Sequence, residues 1–451
     1  MRNGNNKNAL MLLAAWLLAQ AGAANAAGFA LIEQSGSGMG NAYAGAAATA
    51  EDASTIFFNP AGMTYLPDSQ LVVALHAIRP SAEFGNDDSH RAALTGGLAT
   101  PGGDGGDAGD LALVPNIYFA RAVSDNVRLG IGISAPFGLK TEYGGGWVGR
   151  YQAIKSELKT ININPSIAFK AGNQLSLGFG VSAMRASAEL TNAVDFGTIC
   201  AASLAGCGVG ATFQQHDGLA RLEGDDWGFG WNAGAIFQVT NATRFGLAYR
   251  SQVHQTLDGT IKFSNVPAAF AVSPALTATF ANGNITAKLT TPDSLSASLV
   301  HQFDPQWDVM ADLTWTRWSK FERLTAVRSS GAIVSDVPEN WENTIRASIG
   351  ASYRYNDALK ARVGLAYDES PVSTKFRTPR IPDNDRVWLS LGVGYQLFPT
   401  ASLDVGYTHI FVRDTSINKV NDASSALLRD LVAGSYDSNV NILSVQYTHR
   451  F

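Results

Sequence analysis

The sequence predicts an all-β fold, a transmembrane antiparallel β-barrel of about fourteen strands. Three observations carry that reading. The chain opens on an export signal, no later apolar stretch is long enough to span a membrane as a helix, and the remainder alternates apolar with small or polar residues through fourteen segments.

The export signal comes first. Arg2 and Lys7 make the start positive, Ala9 to Ala19 is an apolar run, and Ala24-Asn25-Ala26 is a small-x-small cleavage site. That order reads as a secretory signal peptide over residues 1–26, and its apolar run falls short of the roughly 20 residues a spanning helix needs. The mature chain is expected to begin at Ala27. Losing Arg2 and Lys7 takes the formal charge from −5 to −7. A mildly acidic chain gives no reason to expect a nucleic-acid partner. Only 16% of residues are charged and 45 are glycine, whereas a soluble domain carries roughly 25% charged residues.

Cys200 and Cys207 lie in a stretch rich in Gly and Ala. In an exported protein such a close pair reads as a local disulfide. No His or carboxylate cluster stands beside them, so no metal site is expected.

The alternation decides the architecture. Leu175, Leu177, Phe179 and Val181 alternate with Ser176, Gly178, Gly180 and Ser182; Val387, Leu389, Leu391, Val393 and Tyr395 alternate with Trp388, Ser390, Gly392 and Gly394. Successive strand side chains point to opposite faces, so one face of each segment is apolar. In a membrane barrel that face meets lipid and the other lines the lumen. The segments fall near 71–80, 111–122, 127–138, 158–169, 174–188, 227–239, 243–262, 284–302, 307–327, 341–355, 360–368, 386–397, 401–414 and 438–451.

The connections agree. Ser124-Asp125-Asn126, Ala171-Gly172-Asn173, Asp304-Pro305-Gln306 and Asn356-Asp357 are tight turns after even-numbered segments. Those after odd-numbered segments are long: 81–110, 139–157, 189–226, 263–283, 328–340, 369–385 and 415–437. Outer-membrane barrels pair short periplasmic turns with long outer loops, so both termini are expected in the periplasm. At the C-terminus Leu443, Val445, Tyr447 and Phe451 share a face that His449 interrupts. A last strand ending on Phe looks like the signal read by barrel-insertion machinery. Trp315 and Trp318 would suit an interfacial girdle, and Arg185 and Arg346 are candidates for the lumen.

Residues 27–70 precede the first segment and lack its alternation. They are rich in small residues, among them Gly36, Gly38, Gly40, Gly45 and Ala46 to Ala48, yet carry Phe29, Leu31, Ile32, Ile56, Phe57 and Phe58. Small residues allow close backbone packing, and the apolar ones are costly to leave in water. The segment is expected to fold into the lumen as a plug, with the barrel over 71–451.

Ala27-Gly28-Phe29, Gly38-Met39-Gly40-Asn41-Ala42-Tyr43-Ala44-Gly45 and Asn59-Pro60-Ala61-Gly62 resemble the N-terminal hatch of the FadL-type transporters of long-chain fatty acids. Further matches run through Pro115-Asn116, Pro136-Phe137-Gly138-Leu139, Trp227-Gly228-Phe229-Gly230-Trp231-Asn232-Ala233-Gly234, Asp304-Pro305-Gln306-Trp307, Asp368-Glu369-Ser370-Pro371-Val372 and Ile381-Pro382-Asp383. The resemblance covers essentially all of 27–451.

It implies a fourteen-stranded barrel with a luminal hatch that admits long-chain fatty acids or other hydrophobic molecules by diffusion. It also implies an outer apolar groove, a tighter site beside the hatch N-terminus, and sideways exit into outer-membrane lipid through a kink in the third strand. By that likeness the kink falls at Ala135, Pro136, Phe137 and Gly138, bordered by Ala112, Pro115 and Asn116. Asn59, Pro60 and Ala61 would face it, and Phe29 would stand at the deep site. Pro136 supports the kink by itself, since proline cannot donate to a ladder. No basic residue matches the family's carboxylate partner, so uptake of aromatic hydrocarbons or other apolar compounds is the alternative. A general porin would have an open lumen and no plug. A barrel lipase lacks support, because neither Gly-x-Ser-x-Gly nor His-Glu-x-x-His occurs. No catalytic residue and no cofactor are expected, and the protein is expected to act as a monomer.

Overall fold

A computed structural model describes residues 27–91, 95–203, 214, 216–420 and 430–451. Its twenty strand segments form one antiparallel sheet that closes on itself. Ser69–Asn86 pairs on one side with Ala112–Ala122 and on the other with the last strand, Leu431–Arg450. Six spans are each interrupted once. The third consists of Val127–Ser134 and Gly138–Glu142, and the seventh of Thr243–Arg250 and Val253–Ser264. Likewise the eighth, ninth and tenth are Gly283–Thr291 with Ser294–Gln302, Trp307–Thr316 with Arg323–Arg328, and Ile333–Pro338 with Thr344–Arg354. The thirteenth is Ala401–Val412 with Thr415–Val420. Lys155–Lys170, Leu175–Asp195 and Asp217–Thr240 are the fourth to sixth spans; Leu359–Asp368 and Arg386–Phe398 are the eleventh and twelfth. The wall is therefore a closed barrel of fourteen strands, as the alternation predicts.

Its two faces are the reverse of a soluble protein's. On the twelfth span Leu391 is 54% exposed while Ser390 is 0% exposed. The last span repeats this, with Leu443 and Val445 outside and Ser444 and Gln446 inside. A continuous outer belt of exposed apolar side chains over a polar interior is what lipid demands and water forbids. Inward polar groups find partners on the neighbouring strand, such as Ser390 with Thr408 at 2.7 Å and Ser296 with Thr314 at 2.8 Å. Away from the third span, closure leaves no open sheet edge in the hydrocarbon.

The six short turns lie at one end, together with both ends of the wall, where the Phe451 amide donates to the Ser69 carbonyl at 3.0 Å. Outward aromatics Phe303, Trp307, Tyr355, Phe398 and Phe451 ring that end, as an interfacial girdle would. Three expectations need correction. The stretch 328–340 is not a plain loop: Arg323–Arg328 and Ile333–Pro338 pair as a hairpin. Its β-branched Ile333, Val334 and Val337 favour extension, and Gly331 (φ +84°) makes the turn. Arg185 faces outward, half-exposed, in an ion pair with Asp225 at 2.9 Å. It shares the parity of Phe179 and Val181, but sits further along the span, where the outward residues turn polar. Trp318 belongs to no girdle. It is 1% exposed and lies inside the lumen.

Cys200 is buried near the end of the helix Phe196–Ser203, packed with Phe196 and Phe270. Cys207 lies outside the described residues, as do residues 1–26.

The residues before the first span form four short helical pieces: Gly36–Met39, Ala46–Thr49, Thr55–Phe58 and the 3-10 helix Pro60–Tyr65. Turns this short do not persist in isolation, and here the barrel holds them. Met39, Ala48, Ile56 and Met63 are fully buried. The Gly36 amide donates to Gln446 Oε1 at 2.8 Å, Gln446 Nε2 donates to Asp52, and Asn41 Nδ2 donates to the Ala351 carbonyl at 2.8 Å. Glu51 pairs with Arg362 and Lys360 at 2.6 and 2.7 Å. The wall makes room with inward glycines. A Cβ on Gly178, Gly246 or Gly364 would overlap the backbone of Ala61, Ala47 or Asn41.

Candidate functional site

The break in the third span begins with a missing donor. Pro136 has no N–H, so the ladder cannot continue through it. Pairing between second and third spans ends at Ile117 with Ile133, while the first span follows the second out to Ala112. Ala112, Pro115 and Asn116 therefore border a gap that opens between the second and third spans. The fourth span continues past the break, pairing with Ser134 before it and Gly138 after it.

Buried backbone groups at such a break must find other partners, and they do. The Ala135 amide donates to Asn116 Oδ1 at 3.3 Å, and its carbonyl accepts from Gln34 Nε2 at 3.0 Å. The Pro136 carbonyl accepts from the Leu31 amide at 2.8 Å. The Phe137 amide donates to Thr160 Oγ1 at 2.9 Å, and the same hydroxyl donates to the Phe137 carbonyl at 2.6 Å. Finally, the Gly138 amide donates to the Phe29 carbonyl at 2.8 Å. Phe29 to Gln34 thus act as a clasp across the break. Asn116 also holds the clasp, donating to the Glu33 carbonyl at 2.9 Å.

This arrangement corrects one expectation. Asn59 does not reach the groups freed at the break. Its Nδ2 donates to the carbonyls of Ala47, Ala235 and Leu247 at 2.7, 3.1 and 3.3 Å, and its Oδ1 caps the Ala61 amide. It pins the segment to the sixth and seventh spans, with Pro60 and Ala61 against Gly178 of the fifth. Asn59→Ala removes these bonds and uncaps the buried Ala61 amide, and should destabilise the segment's seating by about 1–3 kcal/mol. Hydrogen exchange of residues 45–65 against that of the strands is the measurement, with faster exchange confined to the segment expected.

Phe29 sits where Gly28 lets it. Gly28 has φ +62°, its amide donates to Asp383 Oδ2 at 2.9 Å, and a Cβ there would press on Trp341. The Phe29 ring is caged by Trp318, Phe321, Trp341 and Phe137, with centroids 4.7, 5.4, 5.4 and 5.9 Å away. The cage stands between two cavities. The larger is lined by Leu31, Ile32, Phe58, Pro136, Phe137 and Arg346. The other is almost wholly apolar, lined by Leu139, Leu158, Leu222, Leu257, Leu289 and Phe321. Phe29 itself lines the apolar cavity, and Phe137 and Trp318 line the larger.

The larger cavity carries a buried cation. Arg346 is 6% exposed and donates one hydrogen bond, to the Ala42 carbonyl at 2.8 Å. Its guanidinium lies 4.9 Å from the centre of the Trp388 ring, and Nε and Nη1 have no partner. Alternation marks Arg346 as inward; nothing in the sequence marks its open donors. Gln34, Thr160, Trp318, Phe321 and Trp341 are further members that residue patterns do not single out. Trp341 comes from a connection between strand segments, and Gln34 acts only because the chain folds back upon the break.

The family described as outer membrane protein transport protein (OMPP1/FadL/TodX) matches residues 17–451. The long-chain fatty acid transport protein of Escherichia coli O6:H1 is 33% identical over 417 residues, covering 90% of each chain. Outer membrane protein P1 of Haemophilus influenzae is 33% identical over 464 residues, covering 98% of each. Among solved structures, a Pseudomonas aeruginosa FadL homologue superposes with TM-score 0.85 at 26% identity, over 94% of this chain and 99% of that one. The Ralstonia pickettii toluene transporter TbuX shares the fold, with TM-score 0.62 and 21% identity over 90% and 95% of the two chains. A closed barrel with an apolar belt, matched end to end by these relatives, places the chain in the outer membrane protein transport family (OMPP1/FadL/TodX).

Proposed function

We propose that this protein takes up long-chain fatty acids across the outer membrane by diffusion and releases them sideways through the break in its third span. The observation that carries this reading is the pairing of residues 135–138 at the break by Phe29 to Gln34, Asn116 and Thr160. A wall that opens toward lipid must leave no orphaned backbone group, and a clasp made by a separate segment can let go. In this reading residues 1–26 are removed on export, 27–70 are the hatch and 71–451 the barrel. The short turns and both termini face the periplasm. Substrate enters the apolar cavity from the long loops, passes the cage around Phe29, and reaches the larger cavity beside Pro136. No side chain has a catalytic role, and a monomer suffices, since one barrel contains the whole route.

Arg346 favours a fatty acid over a hydrocarbon, because a buried guanidinium with open donors calls for an anion. Aromatic hydrocarbons are the second reading, favoured by the rings around Phe29. The test is uptake by cells expressing the protein, of a labelled sixteen-carbon fatty acid, of toluene and of a small sugar. Fatty-acid uptake far above the sugar's is expected. Sugar passage without fatty-acid uptake would overturn the reading, and toluene uptake alone would select the second.

A further inference from the structure

We infer that Glu33 makes anion binding in the larger cavity proton-linked, so that an anionic head group settles on Arg346 as Glu33 takes up a proton. The inference rests on the fatty-acid reading above and adds a control to it. Glu33 belongs to the clasp, its carbonyl held by Asn116. Its carboxyl is buried, 1% exposed, and both oxygens lack a hydrogen-bond partner. Such a group is costly to keep ionised. Burial pushes it up to about 7, against the pull of Arg386 and Arg346. It is thus poised near neutrality, where a modest change in field alters its protonation.

The groups that face it come from several elements. Arg346 is on the tenth span, Asp368 on the eleventh and Arg386 on the twelfth. Tyr43, on the same N-terminal segment, donates its hydroxyl to the Ser35 carbonyl at 3.1 Å. From the second span Asn116 holds the Glu33 carbonyl, and Tyr118 donates its hydroxyl to the neighbouring Gln34 at 3.1 Å. Arg386 is already paired with Asp383, so with Glu33 ionised its charge and that of Asp368 answer chiefly that of Arg346. An anion arriving at Arg346 adds a negative charge to this enclosed set. Like charges at short range in a poorly solvated site disfavour joint ionisation, so Glu33 takes a proton from solvent. No bond other than the carboxyl O–H forms or breaks. The direction follows. Below about 7 Glu33 is neutral and the anion binds at full strength. Above it, binding must protonate Glu33 and weakens by up to about tenfold per pH unit.

The experiment uses the full-length protein in non-ionic detergent, with decane sulfonate as a permanently charged probe and decanol as its neutral counterpart. Each displaces a fluorescent apolar ligand between pH 5.5 and 8.5. Wild type should bind the sulfonate about tenfold more weakly at pH 8.5 than at pH 6, with decanol unchanged. Glu33→Gln should bind it independently of pH, at the wild type's low-pH strength, and Arg346→Met should lose the sulfonate and keep decanol. Calorimetry of the wild type in buffers of different ionisation enthalpy reads proton uptake directly and needs no variant. About half a proton per sulfonate is expected at pH 7. No proton uptake, or a pH slope that survives in Glu33→Gln, would overturn the inference. Failure of both sulfonate and decanol to bind would instead overturn the uptake reading beneath it.

Discussion

Ala135→Arg should cut fatty-acid uptake by about tenfold or more, since even about 1.4 kcal/mol of added barrier has that effect. Ala135 is buried at the wall break, its amide on Asn116 and its carbonyl on Gln34. It packs among Leu31, Ala112, Val114 and Trp388. A long cation there cannot stay in that apolar cluster at tolerable cost, and the route left to it is along the gap itself. The exit is then both narrower and charged. The alternative exit is unfavourable on simple grounds. At about 0.8 kcal/mol per CH₂, releasing a sixteen-carbon chain into water costs on the order of 10 kcal/mol, whereas sideways exit keeps it in apolar surroundings. The variant should still insert, because the third span keeps its neighbours on both sides of the break. Heat-modifiable migration on a gel checks insertion. Normal uptake by an inserted Ala135→Arg protein would refute the sideways route.

The break shows how far the residues alone carry the argument. Pro136 announces it, because a missing N–H is a local property that needs no neighbour. The fourteen spans are equally legible, since alternation and turn residues act within a few positions of each other. Parity also settles facing: Ser390, Gln446 and Arg346 point inward as their neighbours require. Height along the barrel is not local. Arg185 keeps its outward parity, and whether a charge is tolerable there depends on where the lipid ends. A place near a strand end suggests an interface for Trp318, yet Arg317 to Phe321 leaves the strand and turns into the lumen against Phe29. The clasp is the least legible part. Gln34 and Thr160 earn their roles from partners roughly 101 and 23 positions away, a separation no periodicity reports.

Gly364→Val should unseat the N-terminal segment and turn a sealed barrel into a leaky one. Gly364 faces inward on the eleventh span, and a Cβ there would overlap the backbone of Asn41 and Ala42. Backbone cannot rotate away as the end of a long side chain can, and overpacking of this kind costs about 1–3 kcal/mol or more. The barrel strands are tied by continuous ladders, so the segment is the partner that yields. As it withdraws it loses the Asn41 bond to Ala351 and the Arg346 bond to Ala42. Those losses add to the first, because each leaves a buried polar group unpaired. The lumen wall behind the segment is polar, so water and small solutes should follow. Conductance across planar bilayers and entry of a small sugar into cells should both rise well above wild type. Amides of residues 36–50 should exchange faster while those of the strands stay protected. Gly246→Val, which would overlap Ala47 from the seventh span, should act alike. Gly172→Val, at a short turn with open space around it, should do nothing. If Gly364→Val inserts yet neither conducts nor exchanges faster, the segment does not seal the barrel, and the confinement of substrate to a sideways exit fails with it.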